Sequence, residues 1–358
     1  MRYRLHTLHP RKDYTSDTTE VIDVDVVDPI TAFVIGLEAI NNSVTQTAHP
    51  MACLKKIELV DGSDVLFSLD GYEAEALDWY NNGGKFRSNY NYALNGGGEC
   101  RYVGINFGRY KYDPQFAFDP KKFTNPQLRI TLDIDAGGNA PKTLYLTVWA
   151  SLFDERTISP TGFLMAKEIK SYSVSSSVHE YTDLPVDYPY RALYFRPFVA
   201  GTEPNQLVSN IKLSEDHDKK IPFDHGFQDI ERCILEGYPL VREHYYFADG
   251  TSAKYLYIAP STRVAGWIQA WKETAPAGTH SFYDGDGGKA EIIAGTVGEN
   301  IQVFVQGAVP HSVLEIPFGD KQDPADWYDV RALKSLRLDV TGAGTATGYI
   351  FIQQARSY

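Results

Sequence analysis

A pattern laid down at Ile57–Tyr80 returns at Ile211–Tyr238, and that return constrains the fold more than any other feature of the chain. In the first copy, Ile57 and Leu59 alternate with Glu58, the mark of a half-buried strand. Asp61-Gly62 supplies turn chemistry, because glycine tolerates positive φ and aspartate bonds its own backbone. A second strand runs to Leu69, and Asp70 stands where a carboxylate accepts the free N–H groups of a first helical turn. Tyr72, Ala76 and Tyr80 recur at helical spacing until Asn81-Asn82-Gly83-Gly84 stops the run. The second copy keeps the order. Ile211-Lys212-Leu213 is the strand, Glu215-Asp216-His217-Asp218 the polar turn and Ile221-Pro222-Phe223 the second strand. Asp224 is the expected cap, and Phe227, Ile230, Cys233 and Ile234 form the helix stripe before Gly237 and Pro239. Ile57 then matches Ile211, Leu59 matches Leu213, Asp64 matches Asp218 and Asp70 matches Asp224.

A second echo closes each half. Leu128 to Gly138 leads into Leu144-Tyr-Leu-Thr-Val-Trp, and Leu336 to Gly344 leads into Tyr349-Ile-Phe-Ile. Ile130, Leu132, Asp133 and Ile134 fall on Leu336, Leu338, Asp339 and Val340 in this reading. The chain is therefore a tandem duplication of one β-rich domain. The expected division is a basic arm over 1–18, a first domain over 19–160 and a second over 161–358, with Ser159-Pro160-Thr161-Gly162 at the junction. The second half carries the longer loops, including Val264 to Trp271 and the glycine-rich Tyr283 to Lys289.

Length and composition fit two globular domains, each able to bury a core, with 24 tyrosines and 18 phenylalanines favouring strands and broad contact surfaces. A net charge of −12 argues against a general nucleic-acid coat. Three cysteines, Cys53, Cys100 and Cys233, make a poor disulfide framework and point to folding in a reducing cytosol. No apolar run is long enough to span a bilayer, and Met1 to Tyr14 lacks the apolar core of a signal peptide.

Met1 to Lys12 holds Arg2, Arg4, Arg11 and Lys12 with no acidic residue. Two readings stay open: an arm that touches an anionic surface such as lipid headgroups or genome, or a solvated tail. Between Asn81 and Phe118, Tyr90, Tyr92, Tyr102, Tyr110 and Tyr112 sit among glycines and asparagines. So aromatic a loop is expected to pack, either against a neighbouring subunit or within the domain.

Nothing in the sequence reads as an active site. There is no Gly-x-Ser-x-Gly elbow, His-Glu-x-x-His pair or phosphate-binding Gly-x-x-x-x-Gly-Lys. Asp284-Gly-Asp-Gly-Gly resembles half a calcium loop but has Gly295 where the bidentate glutamate belongs. The Glu215-Asp216-His217-Asp218 turn could hold a cation or simply be solvated. No catalytic residue, metal or cofactor is expected.

Two β-rich halves, each of about eight strands with a helix after an early strand pair, suggest an all-β chain of two tandem eight-stranded jelly rolls. Here the chain resembles the double jelly-roll major capsid proteins of tailless icosahedral viruses with an internal membrane, the tectivirus–adenovirus lineage. The duplicated Ile57–Tyr80 and Ile211–Tyr238 segments, the paired closing strands at Leu128–Phe153 and Leu336–Gln354 and the long loops carry the resemblance. It implies homotrimers whose six jelly rolls form a pseudo-hexagonal tile in a virion shell, assembled in the host cytoplasm. It also implies contacts with neighbouring capsomers, penton and minor capsid proteins and an internal membrane, and no sequence-specific nucleic-acid binding. In that setting Arg2, Arg4, Arg11 and Lys12 would face membrane or genome, and the five tyrosines would serve subunit contacts. A glycan-binding or glycan-processing twin jelly roll, with Trp267, Trp271 and Asp284 lining a groove, is the competing expectation. A receptor-binding spike is the third.

Overall fold

The computed structural model describes residues 3–42, 47–93, 96–137, 141–154, 158–248, 254–271, 279–282, 286–292 and 300–358. The chain opens with β1 (Tyr3–Tyr14), β2 (Thr18–Asp23), β3 (Ile30–Ile40), β4 (Leu54–Asp61) and β5 (Asp64–Leu69). Helix α1 (Gly71–Asn81) and the short β6 (Tyr90–Ala93) intervene before β7 (Gly98–Asn106), β8 (Pro126–Leu132) and β9 (Thr143–Phe153). Setting β6 aside, these strands face each other in the orders β1-β9-β3-β7 and β2-β8-β4-β5. Those are the two layers of a jelly roll. Alternation builds the layers: Leu128, Ile130 and Leu132 are buried while Gln127, Arg129 and Thr131 face outward, and β9 does the same with Leu144, Leu146 and Val148.

The second half repeats the plan with β10 (Gly162–Val174), β11 (His179–Leu184), β12 (Tyr190–Phe198), β13 (Val208–Glu215) and β14 (Lys220–Gly226). It closes with β21 (Leu314–Pro317), β22 (Leu336–Gly342) and β23 (Ala346–Ser357). The layers are β10-β23-β12-β21 and β11-β22-β13-β14. A single helical turn, α2 (Pro204–Leu207), precedes β13. Each barrel has its own apolar core, one around Phe33, Ile57 and Leu146, the other around Leu193, Ile211 and Leu338.

Helix α3 (Phe227–Leu235) follows β14 as α1 follows β5, and between α3 and β21 lies the insertion: β15 (Val241–Ala248), β16 (Lys254–Tyr257), β17 (Pro260–Trp271), β18 (Thr279–Phe282), β19 (Lys289–Ile292) and β20 (Asn300–Pro310). It forms a five-stranded sheet ordered β18-β17-β20-β15-β6, with β16 and β19 as a separate pair. The strand β6 comes from the first half and runs parallel to β15.

Three expectations change. Residues 3–14 are not a free arm but an edge strand, paired with β9 from Tyr3 opposite Phe153 to Tyr14 opposite Leu144. Local charge hid this, because the acids that neutralise its cations come from elsewhere in the chain. The cap of α3 is Gly226, not Asp224. The turn from Glu215 to Lys220 is longer than that from Asp61 to Asp64, so the second strand and its helix begin later. The closing strands are also matched differently. Ile57 pairs with Ile130 and Ile211 with Val340, so Ile130 corresponds to Val340, not Leu336. The slip is even, which keeps the same side chains facing inward and explains why the pattern concealed it.

Candidate assembly interface

The two barrels are joined edge to edge. Strand β5 pairs in parallel with β10, Phe67 opposite Ala166 and Ser68 opposite Lys167, which merges two layers into one eight-stranded sheet. Beside this pairing, both guanidinium NH groups of Arg356 donate to the Asp64 carboxylate, at 3.0 and 2.6 Å. That bidentate bond holds the Asp64 carboxyl below its usual range.

Helix α1 lies in the same seam. Asp70 begins it with a capping box: its Oδ1 accepts from the Glu73 N–H at 2.7 Å, and Glu73 Oε2 accepts from the Asp70 N–H at 3.1 Å. Gly71 is required by contact, since a Cβ there would collide with the Met51 carbonyl oxygen and Leu54. The helix has no solvent stripe; Glu73, Glu75 and Asp78 are buried along with Ala76, Leu77 and Trp79. Burial, then the nearby Asp70 charge, push the Glu73 carboxyl well up. Second-barrel groups reach the helix directly. Arg196 donates to Asp70 Oδ2 at 2.8 Å, Arg191 to Asn81 Oδ1 at 2.6 Å, and the Tyr80 hydroxyl donates to the Val313 carbonyl at 2.7 Å.

Below α1 is a buried polar network. Arg101 donates to Glu75 Oε1 at 2.6 and 2.9 Å and faces Glu243 Oε1 at 2.9 Å. His311 Nε2 lies 2.6 Å from Glu75 Oε2, and His49 Nε2 lies 3.1 Å from Glu243 Oε1. Burial raises the Glu75 and Glu243 carboxyls, but Arg101 and the imidazoles pull both below the usual range. Burial drives His311 down to about 4. His49, Glu75 and His311 have the composition of a metal site, with ligand atoms within 4.8 Å of one another. The hydrogen bonds argue otherwise. The Met51 N–H donates to His49 Nδ1, which leaves the ring proton on Nε2, aimed at Glu243. With Arg101 donating to Glu75 and lying against Glu243, the arrangement is satisfied internally and acts as a lock between α1, β7 and β15.

The barrels have further edge strands, β1 and β14 among them. Among the described residues β1 pairs with β9 alone and β14 with β13 alone. Lys220, Ile221, Asp224 and His225 are exposed along β14, and a groove of about 790 Å³ between β14, α3 and β21 is lined by Phe223, Ile230, Ile234, Tyr238 and Ile316.

On the five-stranded sheet, one register crosses four strands: Trp267 opposite Phe304, Phe304 opposite His244, and His244 opposite Tyr90. Successive ring centroids are 5.3, 4.2 and 5.0 Å apart. Trp267 is 42% exposed and Tyr90 46%, so the row is open to solvent at both ends.

Residues singled out from sequence scatter over these surfaces. Arg2 lies outside the described residues, as does Asp284, and of Trp271 only the backbone is described. Arg4 pairs with Asp28 at 3.1 Å, Arg11 with Glu38 at 2.8 Å over the Tyr145 ring, and Lys12 with Glu20 at 2.8 Å. Tyr90 belongs to the aromatic row, and Tyr92 is next to it in β6 with only its backbone described. Tyr102 packs against Trp149, and Tyr112 stacks on Tyr3 at 3.9 Å, both on the outer face of the first barrel. Tyr110 is 52% exposed. In the turn that could have held a cation, Asp216 accepts from two backbone N–H groups and Asp218 pairs with Lys212. Sequence reasoning missed Arg101, Glu243, His49 and His311, whose partners are far away in the chain.

No protein-family model and no curated protein matches the sequence. Solved structures do. The major capsid protein P2 of bacteriophage PM2 matches with a TM-score of 0.57 at 10% identity, covering 99% of this chain and 98% of that one. A structure of Sulfolobus turreted icosahedral virus matches at 0.59 and 11% identity, covering 99% and 91%. The PBCV-1 virus capsid matches at 0.57 and 11% identity, covering 99% and 93%. The chain has the double jelly-roll fold of these proteins from end to end.

Proposed function

We propose that this chain is the major capsid protein of an icosahedral virion, a structural and not a catalytic protein, whose copies associate as homotrimers with six barrels in a pseudo-hexagonal tile. One observation carries the reading. Two complete jelly rolls are fused edge to edge through β5 and β10, and the chain matches capsid proteins of three different viruses over 99% of its length. Fusing barrels by their edges leaves β1 on the first barrel and β14 on the second as edge strands at which the unit can continue. Such a contact joins different surfaces of identical copies, so it closes into a ring or runs on as a filament. The shell location follows from this reading, as do contacts with neighbouring capsomers and with penton and minor proteins. In this reading the side chains of Arg4, Arg11 and Lys12 on β1 face an internal membrane or genome, and assembly takes place in the host cytoplasm. A second reading, a glycan- or receptor-binding surface, is favoured by the exposed Trp267–Tyr90 row, because flat aromatic faces bind sugars well; it is compatible with a shell protein. Light scattering on the purified protein tests the first reading. A stable mass of three times 40.1 kDa supports it, and a monomer at every concentration contradicts it.

A further inference from the structure

We infer that β1 of one copy docks on β14 of the next, repeating between copies the contact that β5 and β10 make within one chain; this rests on the capsomer reading above. The repeat can be followed residue by residue. Leu59 pairs with Phe67 and Leu213 with Phe223, so Phe223 and Asp224 stand where Phe67 and Ser68 stand in the first barrel. Asp61 faces Asp64 as Glu215 faces Lys220, so Lys220 takes the place of Asp64. On the other edge, Ile30 bridges to Phe118 and Tyr190 to Tyr328, which makes Ile30 and Tyr190 counterparts. Ile30 pairs with Leu152 and Tyr190 with Gln354, so Phe153 and Asp154 correspond to Ala355 and Arg356. Tyr3 faces Phe153 as Leu164 faces Ala355, which puts Leu5 and His6 at the positions of Ala166 and Lys167.

Within the chain, Phe67 and Ser68 pair with Ala166 and Lys167 while Asp64 holds Arg356. Between copies the same geometry brings Phe223 and Asp224 to Leu5 and His6, and Lys220 to Asp154. The ion-pair positions are complementary again, with both signs exchanged. An acid on the strand and a base beyond it become a base on the strand and an acid beyond it. Complementary charge at β1 and β14 fixes register and favours one partner, a second copy of this chain. Exposure agrees. Leu5 is 63% exposed, whereas Ala166 at the corresponding position is buried. Helix α1, seated in the internal seam, is buried almost all round, while its counterpart α3 keeps an exposed side next to the apolar groove.

Lys220→Asp, Asp154→Lys and the double exchange, made in the full chain and followed by sedimentation velocity, test the seam. Each single change sets like charges together and is expected to weaken the oligomer at least about tenfold, because a ring repeats the pair at every seam. The double exchange is expected to restore wild-type association to within about threefold. Lys220 also bonds Glu215, and Asp154 also meets Arg4, but losing those contacts cannot produce rescue in the double variant. Independently, Leu5→Cys with Phe223→Cys, in a Cys233→Ser background, should form disulfide-linked multimers on oxidation. If single variants misfold, this pair decides. A monomeric wild type overturns the capsomer reading and the seam together. An oligomeric wild type with indifferent charge variants and no cross-link overturns the seam and leaves the capsomer reading standing.

Discussion

Asp70 and Arg196 are 2.8 Å apart, and through that contact the residue that starts α1 also ties the first barrel to the second. One carboxylate oxygen caps the helix and the other meets a guanidinium that is 2% exposed and packed among Tyr72, Phe198 and Tyr349.

The two roles are separable by mutation. Asp70→Asn keeps an acceptor for the cap and loses the charge, so its cost is that of the ion pair. Asp70→Ala should cost a further ~1 kcal/mol for the cap. Leaving Arg196 buried without its partner is the larger effect, about 3 kcal/mol or more. Denaturant unfolding of both variants checks the order, wild type above Asp70→Asn above Asp70→Ala.

Replacing Arg101 by methionine would strand Glu75 and Glu243 in a site without water contact. We expect a loss of about 3–5 kcal/mol, one of the largest for any single change in the chain. Glu75→Gln in the same background should recover part of it, because one of the stranded charges is removed. Chemical denaturation of the single and double variants measures both.

Acid should loosen the same network through His311. Its folded pKa, about 4, is below the ordinary 6.5, so the unfolded chain binds the proton first as pH falls. The stabilisation is whole above pH 6.5 and is lost on descending through about 4, by about 3 kcal/mol at most. Glu75 and Glu243, held below their usual values, add their own loss below about pH 4.5. Thermal unfolding from pH 8 to 4 should show the decline, and His311→Gln should flatten the part between 6.5 and 4.

Gly71→Ala should destabilise by roughly 2 kcal/mol or more despite the higher helix propensity of alanine, because the added methyl meets the Met51 carbonyl in a packed seam. A melting temperature equal to wild type would show that the seam yields.

Much of the fold was written in short-range pattern. The hairpin at Asp61-Gly62, the cap at Asp70 and the alternation in Leu128–Leu132 each depend on neighbours in sequence, and each is visible there. The duplication was visible for the same reason. Its register was not, since two extra residues in the turn after Glu215 leave a period-2 pattern unchanged while moving the cap from Asp224 to Gly226. The interface was least legible. Arg101, Glu243 and His311 are ordinary polar residues until folding sets them around α1. The cations of β1 resemble a free arm in sequence because Glu20, Glu38 and Asp28, which neutralise them, lie beyond residues 1–12. Tyr90 stands out in sequence, but the row it completes needs the register of β6, β15, β20 and β17.

Electron cryomicroscopy of the purified oligomer, at a resolution that traces strands, tests the central claim most directly. The account predicts a closed ring of three chains and six upright barrels, with β1 of each copy against β14 of the next. A ring joined elsewhere, an open filament or isolated double barrels would contradict it.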